Sequence, residues 1–315
     1  MADAGRIERQ LFLKTLAIGK ATGAGQRFAD AMREVAYPAG TTIYREGDGT
    51  DRIFFVRSGE ISLARRGEEP WTFRERDTVG VLDAMQDRPR ARTATAVTDV
   101  KALAVTVEDW LELLEDNFEL ARQTIVRGAR SLFDLHLELA PTGGFPIPTG
   151  TDVPEGKGPV DLVGRIILLH DLPAFRAASV QSLVGLSKVL RERRLEAAGG
   201  LFLRGEPPGA IFVVVRGLVE ISRDSPELRA GFGPGALVAG YVSVGQSERQ
   251  FDARAVVPTT VLELREDDYL DLLEDHFELV RSVLADMARE RERLMDLAPG
   301  RRNETGLSDR ASLGL

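Results

Sequence analysis

The stretch Val79–Thr93 reads VGVLDAMQDRPRART, and the fold turns on how it is read. Gly80 opens a short apolar run, a turn containing Pro89 follows, and then come Arg90, Arg92 and Thr93. A strand-like run, Ala94–Val107, comes next. Upstream, Tyr37–Leu63 alternates short β-type runs with glycines, and strands are expected at Thr41–Ile43, Ile53–Val56 and Glu60–Ala64. The order Glu60-Ile61-Ser62-Leu63 puts Ile61 and Leu63 on one face of a sheet. Gly59, between two strands, is expected to take a positive φ.

The whole arrangement occurs twice. Ile53-Phe-Phe-Val-Arg-Ser-Gly59 returns as Ile211-Phe-Val-Val-Val-Arg-Gly217, an offset of 158 residues. Leu111-Glu-Leu-Leu-Glu-Asp-Asn-Phe-Glu-Leu120 returns as Leu270-Asp-Leu-Leu-Glu-Asp-His-Phe-Glu-Leu279, an offset of 159. One inserted residue and duplication of a domain account for both. In each copy helical pieces, Arg6–Val35 and Pro159–Glu196, come before the strands. Each copy ends in a helix. Thr106 before Glu108 and Asp109 reads as an N-cap, and Asp116 with Glu119 reads as the start of a further helix.

That last helix carries a heptad-like stripe: Leu114, Phe118, Ala121, Ile125, Gly128, Leu132, Leu135, Leu139, matched by Leu273, Phe277, Val280, Leu284, Met287, Arg291, Leu294, Ala298. Its first turns suit packing on the domain's own strands. Beyond Ile125 and Leu284 it reads as a helix–helix seam through Ile125, Leu132, Leu135, Leu139, Leu284, Met287 and Leu294. Arg291 opposite Leu132 makes the two seams inequivalent. Segment 141–159 is dense in Pro and Gly and reads as a linker; residues 300–315 read as a polar tail. The expected domains are residues 1–140 and 160–299.

The Val79–Thr93 stretch resembles the phosphate-binding cassette of the cyclic nucleotide-binding domain family, which includes catabolite activator-type regulators and the regulatory subunits of cAMP-dependent kinase. That pattern is Gly-Glu-x-Ala-Leu followed by Pro-Arg-x-Ala-Thr. Gly80, Leu82, Pro89, Arg90 and Thr93 fit; Val81 stands at the ribose-binding Glu, Asp83 at the first Ala and Arg92 at the second. The resemblance implies an α+β, mainly β, chain of two tandem jelly-roll β-barrels with flanking helices. It also implies a cyclic nucleotide as ligand, and pairing of the last helices between subunits, or within this chain as a pseudo-dimer.

In the second copy, Gly235–Arg249, two alignments stand. One puts Ala239 at the cassette Gly and Gly240 at the Glu; the other puts Gly240 and Tyr241 there. Neither restores a carboxylate. The candidate ligand residues are Gly80, Val81, Leu82, Asp83, Arg90, Arg92 and Thr93, with Gly240, Tyr241, Val242, Arg249 and Gln250 in the second copy. A helix N-terminus and a forked guanidinium both suit phosphate. A ribose hydroxyl left unpaired costs about 1–3 kcal/mol, or about one to two decades of affinity. Three readings of the arginines stand: Arg92 neutralises Asp83 and fills the pocket, two arginines welcome a more charged ligand such as a dinucleotide, or both are solvated.

Net charge is −8, with a pI near 5.2. An acidic chain disfavours DNA and anionic membranes as partners. The family's transcription factors carry a helix-turn-helix after the last helix, and too few residues follow Leu297 here. Cysteine is absent and His136, His170 and His276 lack metal-ligand spacing. No nucleophile–base motif or cofactor motif occurs, so no catalytic residue is named and no enzyme is expected. There is no signal peptide and no long apolar span, which points to the cytoplasm. A kinase partner implies an inhibitor sequence such as Arg-Arg-x-Ser in the linker, and the linker has no Arg. The expectation is a regulatory or interaction protein, acting on protein partners or on itself, with nucleotide binding impaired; the alternative is a genuine cyclic nucleotide sensor.

Overall fold

The computed structural model describes residues 30–139, 159–176, 178–224, 227–240 and 247–297. The segment read as a linker (except Pro159), the tail, Tyr241, Val242 and most of the helical piece Arg6–Val35 lie outside them. The chain forms two compact units, residues 1–128 with 288–315, and residues 129–287. No helix among the described residues is long and apolar enough to cross a membrane.

The first unit holds β1 (Arg33–Tyr37), β2 (Thr42–Tyr44), β3 (Arg52–Ser58), β4 (Ile61–Ala64), β5 (Trp71–Phe73), β6 (Thr78–Val79), the short helix α1 (Val81–Met85), β7 (Thr93–Ala96) and β8 (Val100–Thr106). Then come α2 (Val107–Asp116) and α3 (Phe118–Leu139). The second unit repeats this after α4 (Leu162–Asp171) and α5 (Val180–Val189). Its strands are β9 (Arg191–Leu195), β10 (Gly200–Phe202), β11 (Ala210–Arg216), β12 (Val219–Asp224), β13 (Glu227–Phe232), β14 (Leu237–Val238), β15 (Asp252–Ala255) and β16 (Thr259–Arg265). Helices α6 (Glu266–Asp275) and α7 (Phe277–Leu297) close the series.

Each unit is a pair of four-stranded antiparallel sheets. The orders are β1-β8-β3-β6 and β2-β7-β4-β5 in the first, β9-β16-β11-β14 and β10-β15-β12-β13 in the second. The repeat extends to irregularities. The register slips between Val56 and Ser58 and again between Val214 and Arg216, and it slips between Thr42 and Tyr44 as between Gly200 and Phe202. Ile61 and Leu63 are buried, as their alternation predicts. Gly59 has φ +91°, and a side chain there would strike the Asp99 carbonyl and Val100 Cα. Together with α2, α3 and their counterparts these sheets make two tandem α+β β-rolls.

Two helical expectations fail at their ends. Arg33–Tyr37 and Arg191–Leu195 are strands, β1 and β9, lying at the edges of their sheets. Edge strands tolerate charge, so a run such as RERRL carries no apolar alternation to betray it. Thr106 caps α2, accepting from the Asp109 N–H at 3.0 Å. Helix α3 is opened by Asn117, not Asp116: its side-chain oxygen accepts from Leu120 N–H at 3.2 Å.

The compact units divide the long helices: residues 129–139 of α3 group with the second unit and residues 288–297 of α7 with the first. The core of the first unit includes Met295, from the end of α7, beside Phe54, Trp71, Phe73 and Val79. The core of the second includes Phe133, from α3, whose ring meets Phe251 at 5.7 Å. The seam residues Ile125, Leu132, Leu135, Leu139, Leu284, Met287 and Leu294 are all buried within the single chain, and so is Arg291.

Candidate functional site

The cassette is α1 and the loop that follows it. Gly80 is the N-cap of α1, with φ +85° and no side-chain cap. Its lack of a side chain lets Arg90 approach: a Cβ there would collide with Arg90 Nη1 and sit 3.2 Å from the Arg52 carbonyl. The Arg90 guanidinium donates to the carbonyls of Gly80 (3.2 Å) and Arg52 (2.5 Å) and lies 4.2 Å from the centre of the Tyr44 ring. Its backbone is clamped on the β2–β3 turn, Arg90 N–H to Asp48 carbonyl and Gly47 N–H to Arg90 carbonyl, both 2.9 Å. Arg90 is 2% exposed. Burial pushes the neighbouring Tyr44 phenol above its usual range.

The second copy uses Arg249 in the same way. It donates to the carbonyls of Pro208 (2.7 Å) and Ala210 (2.6 Å) and lies 4.3 Å from the centre of the Phe202 ring. Burial lowers its pKa. The structure also chooses between the two alignments. Val79 pairs with Phe54 and Val238 with Phe212, so Ala239 stands at Gly80 and Gly240 at Val81. Ala239 keeps the left-handed backbone, φ +59°. An alanine held there carries strain of about 1 kcal/mol, so Ala239→Gly is expected to raise the melting temperature of the second unit by a few degrees. A calorimetric scan of the variant beside the native protein checks it.

Beside the cassette of the first unit is a cleft lined by Leu63, Trp71, Val81, Leu82, Arg92 and Glu292, among others. Its volume is about 20 Å³, room for about one water. Val81, where the resembling family has a carboxylate, is 1% exposed and offers no acceptor. Arg88 and Arg92 are occupied by carboxylates, but not in the expected combination. Asp83 is taken by Arg88, Nε to Oδ1 at 3.0 Å, not by Arg92. Burial pushes the Asp83 carboxyl up against the pull of Arg88. The Arg92 guanidinium lies over Trp71, its carbon 3.7 Å from the ring centre, and donates to Glu68 (2.7 Å) and Asp296 (2.8 Å). Residues 90–92 are not an extended strand, so the expected same-side alternation of Arg90 and Arg92 does not apply. Both are buried rather than solvated.

The remaining candidates scatter. Gly80 and Leu82 line the cleft; Thr93 does not, and its hydroxyl accepts from the Glu46 N–H at 3.1 Å. Gln250 lies next to Arg249 and donates to the Glu248 carbonyl. Arg88, Trp71, Glu68, Glu292 and Asp296 were not singled out. Arg88 sits five residues from Asp83 and was within reach of sequence reasoning. Asp296, 204 residues from Arg92, was not. Among the described residues no group of side chains is arranged to hold a metal.

The cyclic nucleotide-binding domain model matches residues 34–117 and 192–276, more than half of the chain. The chain belongs to the cyclic nucleotide-binding domain family. It carries two such domains in tandem. It is 36% identical over 90 residues to a cAMP-dependent protein kinase regulatory subunit of Aspergillus niger, covering 28% of this chain and 22% of that one. It is 28% identical over 109 residues to a CRP-like cAMP-activated global transcriptional regulator of Mycobacterium tuberculosis, covering 32% and 47%. The matches thus span about a quarter to a half of these relatives. Among solved structures, the regulatory domain of Toxoplasma gondii PKA with cAMP covers 90% of this chain and 95% of that one at 15% identity, with a TM-score of 0.35. The regulatory subunit of a cAMP-independent protein kinase A from Trypanosoma brucei covers 91% at 17% identity and 0.34.

Proposed function

We propose that this chain is a non-enzymatic regulatory protein whose first cyclic nucleotide-binding domain is closed to cyclic mononucleotides, and that it acts through protein partners. The observation that carries this is the state of Arg90 and Arg249. Each guanidinium is buried and bonded to two backbone carbonyls, so it braces the roll instead of waiting for phosphate. Val81 supports the same reading, because a ribose hydroxyl set beside it finds no acceptor. A cleft of about 20 Å³ is far below the several hundred Å³ of a nucleotide pocket.

The acidic charge argues against DNA, and the chain works in the cytoplasm. Self-association through the long-helix stripe finds its seam residues already buried, so a partner meets another surface. One observation favours the second reading, a genuine sensor: the kinase regulatory subunits it resembles are named for cAMP. A thermal-shift screen over cyclic mono- and dinucleotides separates the two. A ligand with a micromolar Kd, present at about 1 mM, stabilises the folded state by about 4 kcal/mol. Our reading expects no shift with any of them.

A further inference from the structure

The end of α7 belongs to the first unit and lies on its cassette. Glu292 Oε2 accepts from Arg88 Nη2 at 2.6 Å and from Gln86 Nε2 at 3.3 Å. One helical turn on, Asp296 Oδ1 accepts from Arg92 Nη2 at 2.8 Å, and its other oxygen lies 3.8 Å from Arg65. Between them Met295 enters the core of the roll. The two carboxylates therefore meet the two arginines that border the cleft, and Glu292 lines it. Neither is the arginine of the family's cassette pattern, which is Arg90.

Charge shows what this contact withholds. With the helix end in place, Arg65, Arg88 and Arg92 face Glu68, Asp83, Glu292 and Asp296, three cations against four anions. Without it, three cations face two anions, and two forked guanidinium groups turn toward an open cleft. A carboxylate and a phosphate oxygen are alternative acceptors for the same fork.

We propose that Arg88 and Arg92 form an anion site that the chain fills with its own helix end, Glu292 and Asp296 standing in for a multiply charged phosphate-bearing ligand. The helix end is then a latch: ligand and helix compete for the same two guanidinium groups, and binding releases residues 288–297. This rests on the reading that the cleft is closed from within.

The test takes the full chain and the double variant Glu292→Gln/Asp296→Asn, which keeps size and helix propensity. Hydrogen exchange is expected to speed up at least tenfold over residues 290–297 in the variant and to stay unchanged over residues 277–287. A change below twofold at 290–297 overturns the latch. Inorganic pyrophosphate, titrated calorimetrically, is expected to bind the double variant at least tenfold more tightly than the native chain. Equal affinity for the two, or no binding to either, overturns the competition. The reversed pair Arg88→Glu/Glu292→Arg guards against simple misfolding: protection at 290–297 is expected to return relative to either single change, and failure to return counts against the proposal. Micromolar cAMP binding by the native chain would undo the closed-pocket reading and leave the exchange result standing, so the two failures are distinguishable.

Discussion

Arg90→Ala is expected to lower the melting temperature of the first unit by on the order of 10 °C. The change strands the carbonyl of Arg52, at about 1–3 kcal/mol, takes one of two donors from the Gly80 carbonyl, which keeps the Ala84 N–H, and empties the space over Tyr44. The sum, about 2–5 kcal/mol, is large for a unit of this size. Arg90→Lys is expected to recover little of it, since one ammonium on a flexible stem does not replace a fork that reaches two carbonyls. Scanning calorimetry reads the result. A residue kept only to receive phosphate would give a variant melting within about 2 °C of the native protein.

Arg92→Ala ranks next. It leaves Glu68 and Asp296 with Arg65 as their remaining cation and uncovers the face of Trp71. Breaking a buried pair costs about 3–5 kcal/mol, but both carboxylates are about a third exposed, so water screens part of the loss. We expect about 2–4 kcal/mol, seen as a lower urea midpoint at unchanged slope. Arg92→Met is expected to fall between native and Arg92→Ala, because a long apolar chain still covers Trp71. Equal losses for the two variants would mean that the stacking on Trp71 contributes nothing.

Local chemistry made much of this legible in the chain alone. Duplication read from matched runs foretold two units whose sheets share order and even slips of register. Thr106 announced the start of α2, and Gly59 announced its own positive φ. What stayed hidden depended on distance in sequence or on position in a sheet. Arg33–Val35 and Arg191–Leu195 read as helix because the inward apolar positions of these short edge strands are few, Val35 and Tyr37 in one and Leu195 in the other. The partners of Arg92 come from Glu68 and from Asp296, and only the folded chain brings those together. Whether Ala239 or Gly240 stands at the cassette glycine was open until the pairing of Val238 with Phe212 decided it. The missing carboxylate at Val81 was plain from the start; that Arg88, not Arg92, would hold Asp83 was not.

On the proposed reading, the cassette guanidinium of each roll, Arg90 and Arg249, serves the fold and not a nucleotide. Isothermal calorimetry with cAMP, and then cGMP, titrated into the native chain to about 100 μM tests it most directly. The account predicts no saturable heat with either. Saturable micromolar binding in the native protein, abolished in an Arg90→Ala variant that keeps its folded circular dichroism, would contradict it.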